Sequence, residues 1–499
     1  MKGPVSDGIG VGAPTGIELV DRGRTAMYRT ELSRPLTLAL SDGAIQPSDT
    51  LFDFGCGRGS DIARLRELDI NATGWDPVHS PETPKTPAGV VNLGYVVNVI
   101  EDQREREAAL IDAWRLASRL LIVSARLDWD INSAQALPCG DGLITSRGTF
   151  QKFFTQDELR EWIQATLGVD ADAAGPGVFY VFRTPEAREL HLARAVRRIH
   201  APRCALAPTA ALEMNRELFE PLLAFLSTRG RAPVDGELAE AAEIVNRLGS
   251  MSRAIRLLGK AIGTESWERA TTERQRQLLV YLALGTFRRK PPLKALPADI
   301  QADVRAFFGN YTEATKLGRE LLFATGQQKA ISEECSDATV GKRTADSLYV
   351  HVSAISSLPV LLQVYEGCAR TLLGDIPGAT IVKLRRDKPK VSYLCYPAFD
   401  SVGHPALTET FVADLRKLHT NHYNYSEREN PPVLHRKECF VTQNYPQWPQ
   451  FAALTQAEEA AGLLEDSADI GTRQRWDTRL AERGFVITGH DLQHIGTTR

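Results

Sequence analysis

Residues 50–60 read TLFDFGCGRGS, and GWDP follows at 74–77. A short apolar run, Leu51-Phe52, meets the acidic Asp53, and the backbone then turns through Gly55, Gly57 and Gly59 before a helix predicted to start near Ser60. A loop that opens a helix beside a parallel strand presents unpaired N–H groups and a positive dipole end, and glycines let a ligand approach the backbone. A second strand, predicted from Asn71 to Trp75, ends in Asp76, 23 residues beyond Asp53. An open α/β sheet places there a carboxylate that can accept both ribose hydroxyls. The pattern predicts a nucleoside-cofactor site.

Glycine spacing selects the cofactor. A dinucleotide loop has the form G-x-G-x-x-G, and its third glycine would fall on Ser60. The glycines at 55, 57 and 59, with Cys56 between the first two, follow the tighter G-x-G-x-G of class I methyltransferases. Asp53 suits S-adenosylmethionine, whose methionyl part carries an ammonium where a dinucleotide carries a pyrophosphate.

Further strands and helices continue the same pattern. Gly89–Leu93 and Leu120–Ala125 read as buried strands, residues 104–118 as a helix with Leu110, Ile111, Trp114 and Ala117 at helical spacing, and 177–183 as the closing strand. Thr155 with Glu158 predicts a capping box. Strand–helix repetition over about 185 residues predicts a doubly wound, Rossmann-like sheet. The segment 77–89 holds four prolines and is too short for the usual third strand–helix unit.

Several motifs carry a family resemblance: RGRTAMYRTELSRP (22–35), FDFGCGRGSD (52–61), VVNLGYVVNVIEDQRER (90–106), DGLITSRGTFQKFFTQDEL (141–159), KPKVSYLCYPAF (388–399), PPVLHRKE (431–438) and IGTRQRW (470–476). Together they resemble the methyltransferases associated with DNA phosphorothioation, in which a backbone oxygen of DNA is replaced by sulfur. The resemblance implies a bacterial defence setting, S-adenosylmethionine as cofactor, DNA as partner, and proteins of the phosphorothioation system as further partners.

The 499 residues are enough for two to four domains. The reading divides them into a lead-in (1–20), a class I methyltransferase domain (21–185), a mainly helical, basic middle region (186–330) bounded by RRKPPLKALP (288–297), and a mixed α/β C-terminal region (331–499). That last region is predicted to contain helices at Leu358–Leu373, Thr408–His419 and Thr455–Leu464 and strands at Ala379–Leu384 and Val391–Tyr396. No run approaches the roughly 18 apolar residues of a membrane span. Seven cysteines without a C-x-x-C pair, and a first segment without an apolar signal stretch, predict a cytoplasmic protein.

The net charge of −3 hides a local excess: between Arg247 and Lys294 lie eleven basic and three acidic residues, a balance of +8. Within it, a helix predicted over Glu237–Leu248, a turn at Gly249-Ser250 and a second helix from Met251 form a helix-turn-helix pattern. Arg253, Arg256 and Lys260 share one side of the second helix, with Ile255, Leu257 and Leu258 free to pack inward. Such a face can meet the phosphates of duplex DNA.

The predicted chemistry is methyl transfer, with Asp53, Gly55, Cys56, Gly57, Gly59, Asp76 and Asn92 holding the cofactor. Asn92, Tyr95 and Asn98 would orient the acceptor, and Glu101 (or Asp102) would take its proton. Three functional classes remain open at this stage: a DNA methyltransferase, an accessory subunit that binds cofactor and DNA without turnover, and a methyltransferase of RNA or protein. Asn430-Pro431-Pro432-Val433 imitates an amine-binding loop but lacks its aromatic residue, and Pro138-Cys139 imitates a cysteine-nucleophile loop after the wrong strand. His419, His422, His435 and Cys439 have finger-like spacing in an order unlike the usual zinc patterns. No metal site is predicted.

Overall fold

The computed structural model describes residues 25–26, 28–131, 137–145, 148–196, 216–287, 291–465 and 469–495. The predicted lead-in, and Arg288, Arg289 and Lys290 of the basic stretch, lie outside the described residues. The chain divides into two compact units: residues 1–169 with 177–181, and 170–176 with 182–499.

The first unit is built on strands β1 (Thr50–Phe54), β2 (Asn71–Trp75), β3 (Ala88–Gly94), β4 (Ala117–Ser124) and β9 (Val178–Phe182), which lie in the order β2-β1-β3-β4-β9. β1 pairs in parallel with β2 and with β3, and β3 with β4. Parallel strands covered on both faces read as apolar runs, and Leu120–Val123 of β4 is buried throughout; Val178–Phe182 is buried at every residue as well. No alternation of buried and exposed residues marks β9.

Helix α1 (Arg34–Ser41) precedes β1, α2 (Ser60–Glu67) links β1 to β2, α3 (Gln103–Leu116) links β3 to β4, and α4 (Gln156–Leu167) follows. Ala117 begins β4 rather than ending the helix before it. The capping box forms as expected: the Glu158 N–H donates to Thr155 Oγ1 at 3.1 Å and the Thr155 N–H to Glu158 Oε2 at 3.3 Å. β2 is an edge strand and leads straight to β3, so the proline-rich segment 77–87 contributes no strand. Short strands β5 (Leu137–Cys139), β6 (Gly142–Ile144) and β7 (Phe150–Gln151) form a separate small sheet.

The second unit joins helices between Arg216 and Asp337 to an antiparallel sheet of six strands, β10 (Lys342–Arg343), β11 (Ser347–His351), β12 (Ala379–Arg385), β13 (Lys390–Cys395), β14 (Glu409–Asp414) and β15 (His419–Asn424), in chain order. The boundary expected at 330 falls inside the helix Gln328–Asp337, and 186–330 and 331–499 do not part. The helix expected over Thr408–His419 is instead the β14–β15 hairpin. Thr410, Phe411, Ala413 and Asp414 are buried along β14, and Leu418 turns the chain at φ 51°. The helix expected at Thr455–Leu464 runs from Trp448 to Ala460, just short of Gly462 in the left-handed region.

Gly74 sets the spacing between β1 and β2 beneath the glycine loop. A Cβ there would lie 2.7 Å from the Asp53 carbonyl oxygen and 2.7 Å from Ile62 Cδ1. Replacing Gly74 with Ala should destabilise the first unit by about 1–3 kcal/mol, the usual cost of overpacking. Urea unfolding measures it, and a loss below about 0.5 kcal/mol would show that the strands part freely.

Candidate functional site

Asp53, Gly74 and Asn92 stand side by side across β1, β2 and β3. Beyond them the loop passes through Gly55, Gly57 and Gly59, all with positive φ. At Gly55 a Cβ would strike Val96 Cγ2 at 2.3 Å, so both backbone and space require glycine. At Gly59 nothing lies within 4 Å, and only the φ of 73°, at the N-cap of α2, demands it.

The loop is pinned from inside. Gly55 and Cys56 donate their N–H groups to the Trp75 carbonyl at 2.8 and 3.0 Å, and Gly57 donates to Asp76 Oδ2 at 3.0 Å. These three N–H groups are thus satisfied within the protein, not offered to a ligand as expected, because β2 ends beside the loop with its last carbonyl facing it. Asp76 Oδ1 also accepts from the N–H groups of Val78 and His79 at 2.9 and 2.8 Å. A carboxylate has about four acceptor positions, so Asp76 keeps about one for a ligand rather than enough for both hydroxyls of a ribose.

Asp53 is 4 % exposed, and Asn92 Nδ2 donates to its Oδ1 at 2.8 Å. Burial, and then the neighbouring charge of Asp61, push the Asp53 carboxyl up to about 7, against the lowering effects of Asn92 and Arg29. Burial and then Asp53 and Asp76 likewise raise the Cys56 thiol to about 12, so it stays protonated and lines the site without acting as a nucleophile.

One cavity of about 1130 Å³ opens on this loop. Asp53, Gly55, Cys56, Gly57, Asp76, Asn92, Tyr95 and Asn98 all line it, whereas Gly59 and Glu101 are absent from its lining. Asp102, the alternative to Glu101, accepts from the N–H groups of Arg104 and Glu105 as the N-cap of α3. Asn98 Nδ2 donates to Gln151 Oε1 at 2.9 Å, and the Oδ1 atoms of Asn92 and Asn98 are buried without a hydrogen-bond partner. Tyr95 holds φ at 59°, a costly conformation for an aromatic residue, and its N–H donates to the Ser124 carbonyl and Oγ.

Sequence reasoning gave no role to several residues that line the cavity. Arg29, Arg34 and Gln151 lie within motifs quoted only for their resemblance; Arg126 carries no motif signal. Lys85, from the proline-rich segment, sits 4.0 Å from the Trp75 ring centroid and 4.7 Å from that of Phe54.

In the second unit, Arg253, Arg256 and Lys260 are exposed on the helix Met251–Ile262, opposite buried Ala254 and Leu258. Leu257 is exposed too, contrary to expectation. The preceding helix starts at Ala241, not Glu237, because the Glu237 carboxylate binds Arg231 and the Val234 N–H. The basic excess is partly neutralised within the fold. Arg274 is buried against Asp303, Arg247 pairs with Glu243 and Glu217, and Arg276 with Glu273. The finger-like residues do not converge. His422 meets Glu409, His435 Nε2 donates to the Ile470 carbonyl, and no metal-binding group occurs among the described residues.

Comparison with protein families finds no match, and comparison with curated proteins finds none. The family resemblance of the motifs gains no support there. Among solved structures, the chain is similar to the sugar N-methyltransferase KedS8 from Streptoalloteichus sp., at 14% identity over 37% of this chain and 98% of that one, with a TM-score of 0.26. It is also similar to a 1,6-didemethyltoxoflavin-N1-methyltransferase from Burkholderia thailandensis, solved with 1,6-didemethyltoxoflavin and S-adenosylhomocysteine. There the identity is 15% over 33% and 79% of the two chains, with a TM-score of 0.23.

The raised Asp53 carboxyl makes stability depend on pH. The unfolded chain loses this proton near pH 3.8, whereas the folded protein keeps it to about 7. Stability should therefore fall as pH rises through that window. Asp53→Asn should remove the effect and gain up to about 4 kcal/mol above pH 7, at 1.36 kcal/mol per unit. Urea unfolding at pH 4.5 and pH 8 tests this; an equal difference between variant and wild type at both values refutes it.

Proposed function

We propose that this protein is an S-adenosylmethionine-dependent methyltransferase acting on DNA beside a phosphorothioation system. One observation carries the cofactor assignment: a buried carboxylate, Asp53, lies under a loop of left-handed glycines with Asp76 at the end of the next strand, all on one cavity. The site fits the group. Asp53 can pair with an ammonium, which would favour its ionised form, Asp76 retains an acceptor position for a ribose hydroxyl, and Asn92 Oδ1 is a buried acceptor still without a partner.

When bound, the cofactor supplies a methyl group already activated on a sulfonium. The protein's share is then to position the acceptor. Tyr95 and the unpartnered Oδ1 of Asn98 stand on the cavity wall, where Asn98 can accept from an acceptor N–H. Support for DNA comes from the exposed row Arg253, Arg256 and Lys260; support for the phosphorothioation setting comes from the motif resemblance alone. A second reading, an accessory subunit without turnover, draws on the amide N–H groups of Asn92 and Asn98 being held by Asp53 and Gln151, and on Glu101 standing apart from the cavity. Mass spectrometry of nucleosides from cells with and without the gene separates the two: a methylated nucleoside that disappears with the gene favours turnover.

Two outcomes follow. Asp76→Ala should weaken S-adenosylhomocysteine binding by about 1.5–3 kcal/mol, read by calorimetry; equal affinity removes Asp76 from the site. For DNA, log affinity should fall linearly with log salt, at about 0.9 per phosphate neutralised. Replacing Arg253, Arg256 and Lys260 together with Ala should flatten that slope by up to roughly 3, and an unchanged slope makes them a solvated helix face.

A further inference from the structure

The cavity of about 1130 Å³ is larger than the about 300–1,000 Å³ typical of a single small-ligand site. The glycine loop, Asp53 and Asp76 make one wall of it. Another wall surrounds Tyr95 and has a different chemistry.

We propose that Arg29, Arg34 and Arg126 form, on the Tyr95 wall, a binding site for a phosphate group of the methyl acceptor. The inference deepens the methyltransferase reading, which supplies the second occupant of the same cavity.

Two stretches of chain, the one leading into α1 and the one after β4, bring these arginines to the cavity. The Arg29 N–H donates to Ser60 Oγ at 3.3 Å, and its guanidinium lies 5.5 Å from the centroid of the Tyr95 ring. Arg34 is the first residue of α1, directly after Ser33, whose N–H donates to Asp61 Oδ1 at 2.8 Å. Arg126 follows β4, and its carbonyl accepts the Phe154 N–H at 3.1 Å. Burial is the main cause of a raised Tyr95 hydroxyl; the charges of Arg34, Arg29 and Arg126 also reach that hydroxyl and oppose the rise, while Asp130 adds to it. Three cations and one anion therefore act on one side chain.

None of the three arginines forms an ion pair with a described residue. Arg106, by contrast, pairs with Asp141 at 2.7 Å, Arg119 with Asp49 at 2.5 Å and Arg64 with Glu67 at 2.7 Å. Lys85, which also lines the cavity, has Asp112 at 3.8 Å. Asp130, whose Oδ2 accepts the Leu127 N–H at 2.9 Å, offsets one of these three positive charges and leaves an excess. Arg29 also offsets the charge of Asp53, whereas Arg34 and Arg126 have no carboxylate paired with them among the described residues, so an anionic ligand would add an attraction that they lack. Guanidinium is always charged, and its planar fork matches phosphate oxygens. Tyr95, held in a strained backbone conformation between β3 and Ser124, supplies a ring edge and a hydroxyl on the same wall.

The test is calorimetric titration of the full chain with inorganic phosphate. Wild type, Arg34→Glu and the double variant Arg34→Glu/Arg126→Gln are compared, with S-adenosylhomocysteine as the control ligand. An acidic residue in the first turn complements the helix dipole, so Arg34→Glu should fold. Phosphate should bind wild type saturably, at least tenfold more weakly to the single variant and not measurably to the double, while S-adenosylhomocysteine affinity stays within threefold. Equal phosphate affinity in wild type and double variant, or no binding by wild type, overturns the site. Loss of S-adenosylhomocysteine binding by wild type, with arginine-dependent phosphate binding intact, overturns the cofactor reading and leaves the phosphate site standing. Displacement of phosphate by a nucleoside 5′-monophosphate but not by a dinucleoside phosphodiester assigns the site to small phosphorylated acceptors. The reverse assigns it to a nucleic-acid backbone.

Discussion

A carboxylate buried near the end of β1 sets the terms for everything around it. Asp53 cannot swing to water, because it sits between β2 and β3 with its Oδ1 held by Asn92. Asp61 and Asp76 add negative charge nearby, and Arg29 is the cation that offsets it. That arginine reaches its place because its own N–H is fixed on Ser60 and the Ser33 N–H on Asp61, at the start of α2. The glycine loop, the first turn of α2 and the segment before α1 are thus arranged about one negative centre. A cationic ligand group at Asp53 would offset the cost of burying its charge, so the buried carboxylate selects for positive charge.

The missing strand has a physical consequence as well. With β2 at the edge, the chain between Asp76 and Ala88 folds back on the sheet instead of extending it. Prolines leave that segment few donors for a strand ladder. Lys85 lands over the Phe54–Trp75 pair, whose ring centroids lie 5.3 Å apart, with Asp112 of α3 beside it. The same short segment supplies the Val78 and His79 N–H groups that hold Asp76. It braces one wall of the cavity rather than adding a layer to the fold.

Legibility followed how local the determining interactions were. β1, α2, β2 and the helix Met251–Ile262 were readable because apolar runs, glycines and the Ser250 cap act within a few residues. The β14–β15 hairpin was not, since Thr408–His419 carries helix-forming residues and becomes strand only by pairing with β13. The loop's glycines were legible, but the destination of its N–H groups was not, because the Trp75 carbonyl lies twenty residues away in the chain. Arg29, Arg34 and Arg126 had no spacing to betray them. Tertiary structure alone brings them to one cavity.

The motifs beyond the first unit meet for a structural reason. Leu434 and His435 belong to PPVLHRKE, Ile470 and Trp476 to IGTRQRW, and Phe399 to KPKVSYLCYPAF. His404 Nδ1 binds the Leu434 carbonyl at 3.0 Å and its Nε2 meets Glu458 Oε1 at 2.5 Å, while the Trp476 ring packs on both His404 and His435. Lys437 donates to the carbonyls of Phe399 and Val402 and meets His490 Nε2 at 2.7 Å. Burial pushes His404 down to about 3 and Glu458 up to about 8. With Nδ1 donating to a carbonyl, Nε2 of a neutral His404 can only accept, so the proton of this pair resides on Glu458 near neutrality. Two neutral partners sharing one hydrogen bond avoid the desolvation that a buried ion pair would incur. Three stretches far apart in sequence are thereby held by packing and hydrogen bonding in one polar cluster within an apolar shell.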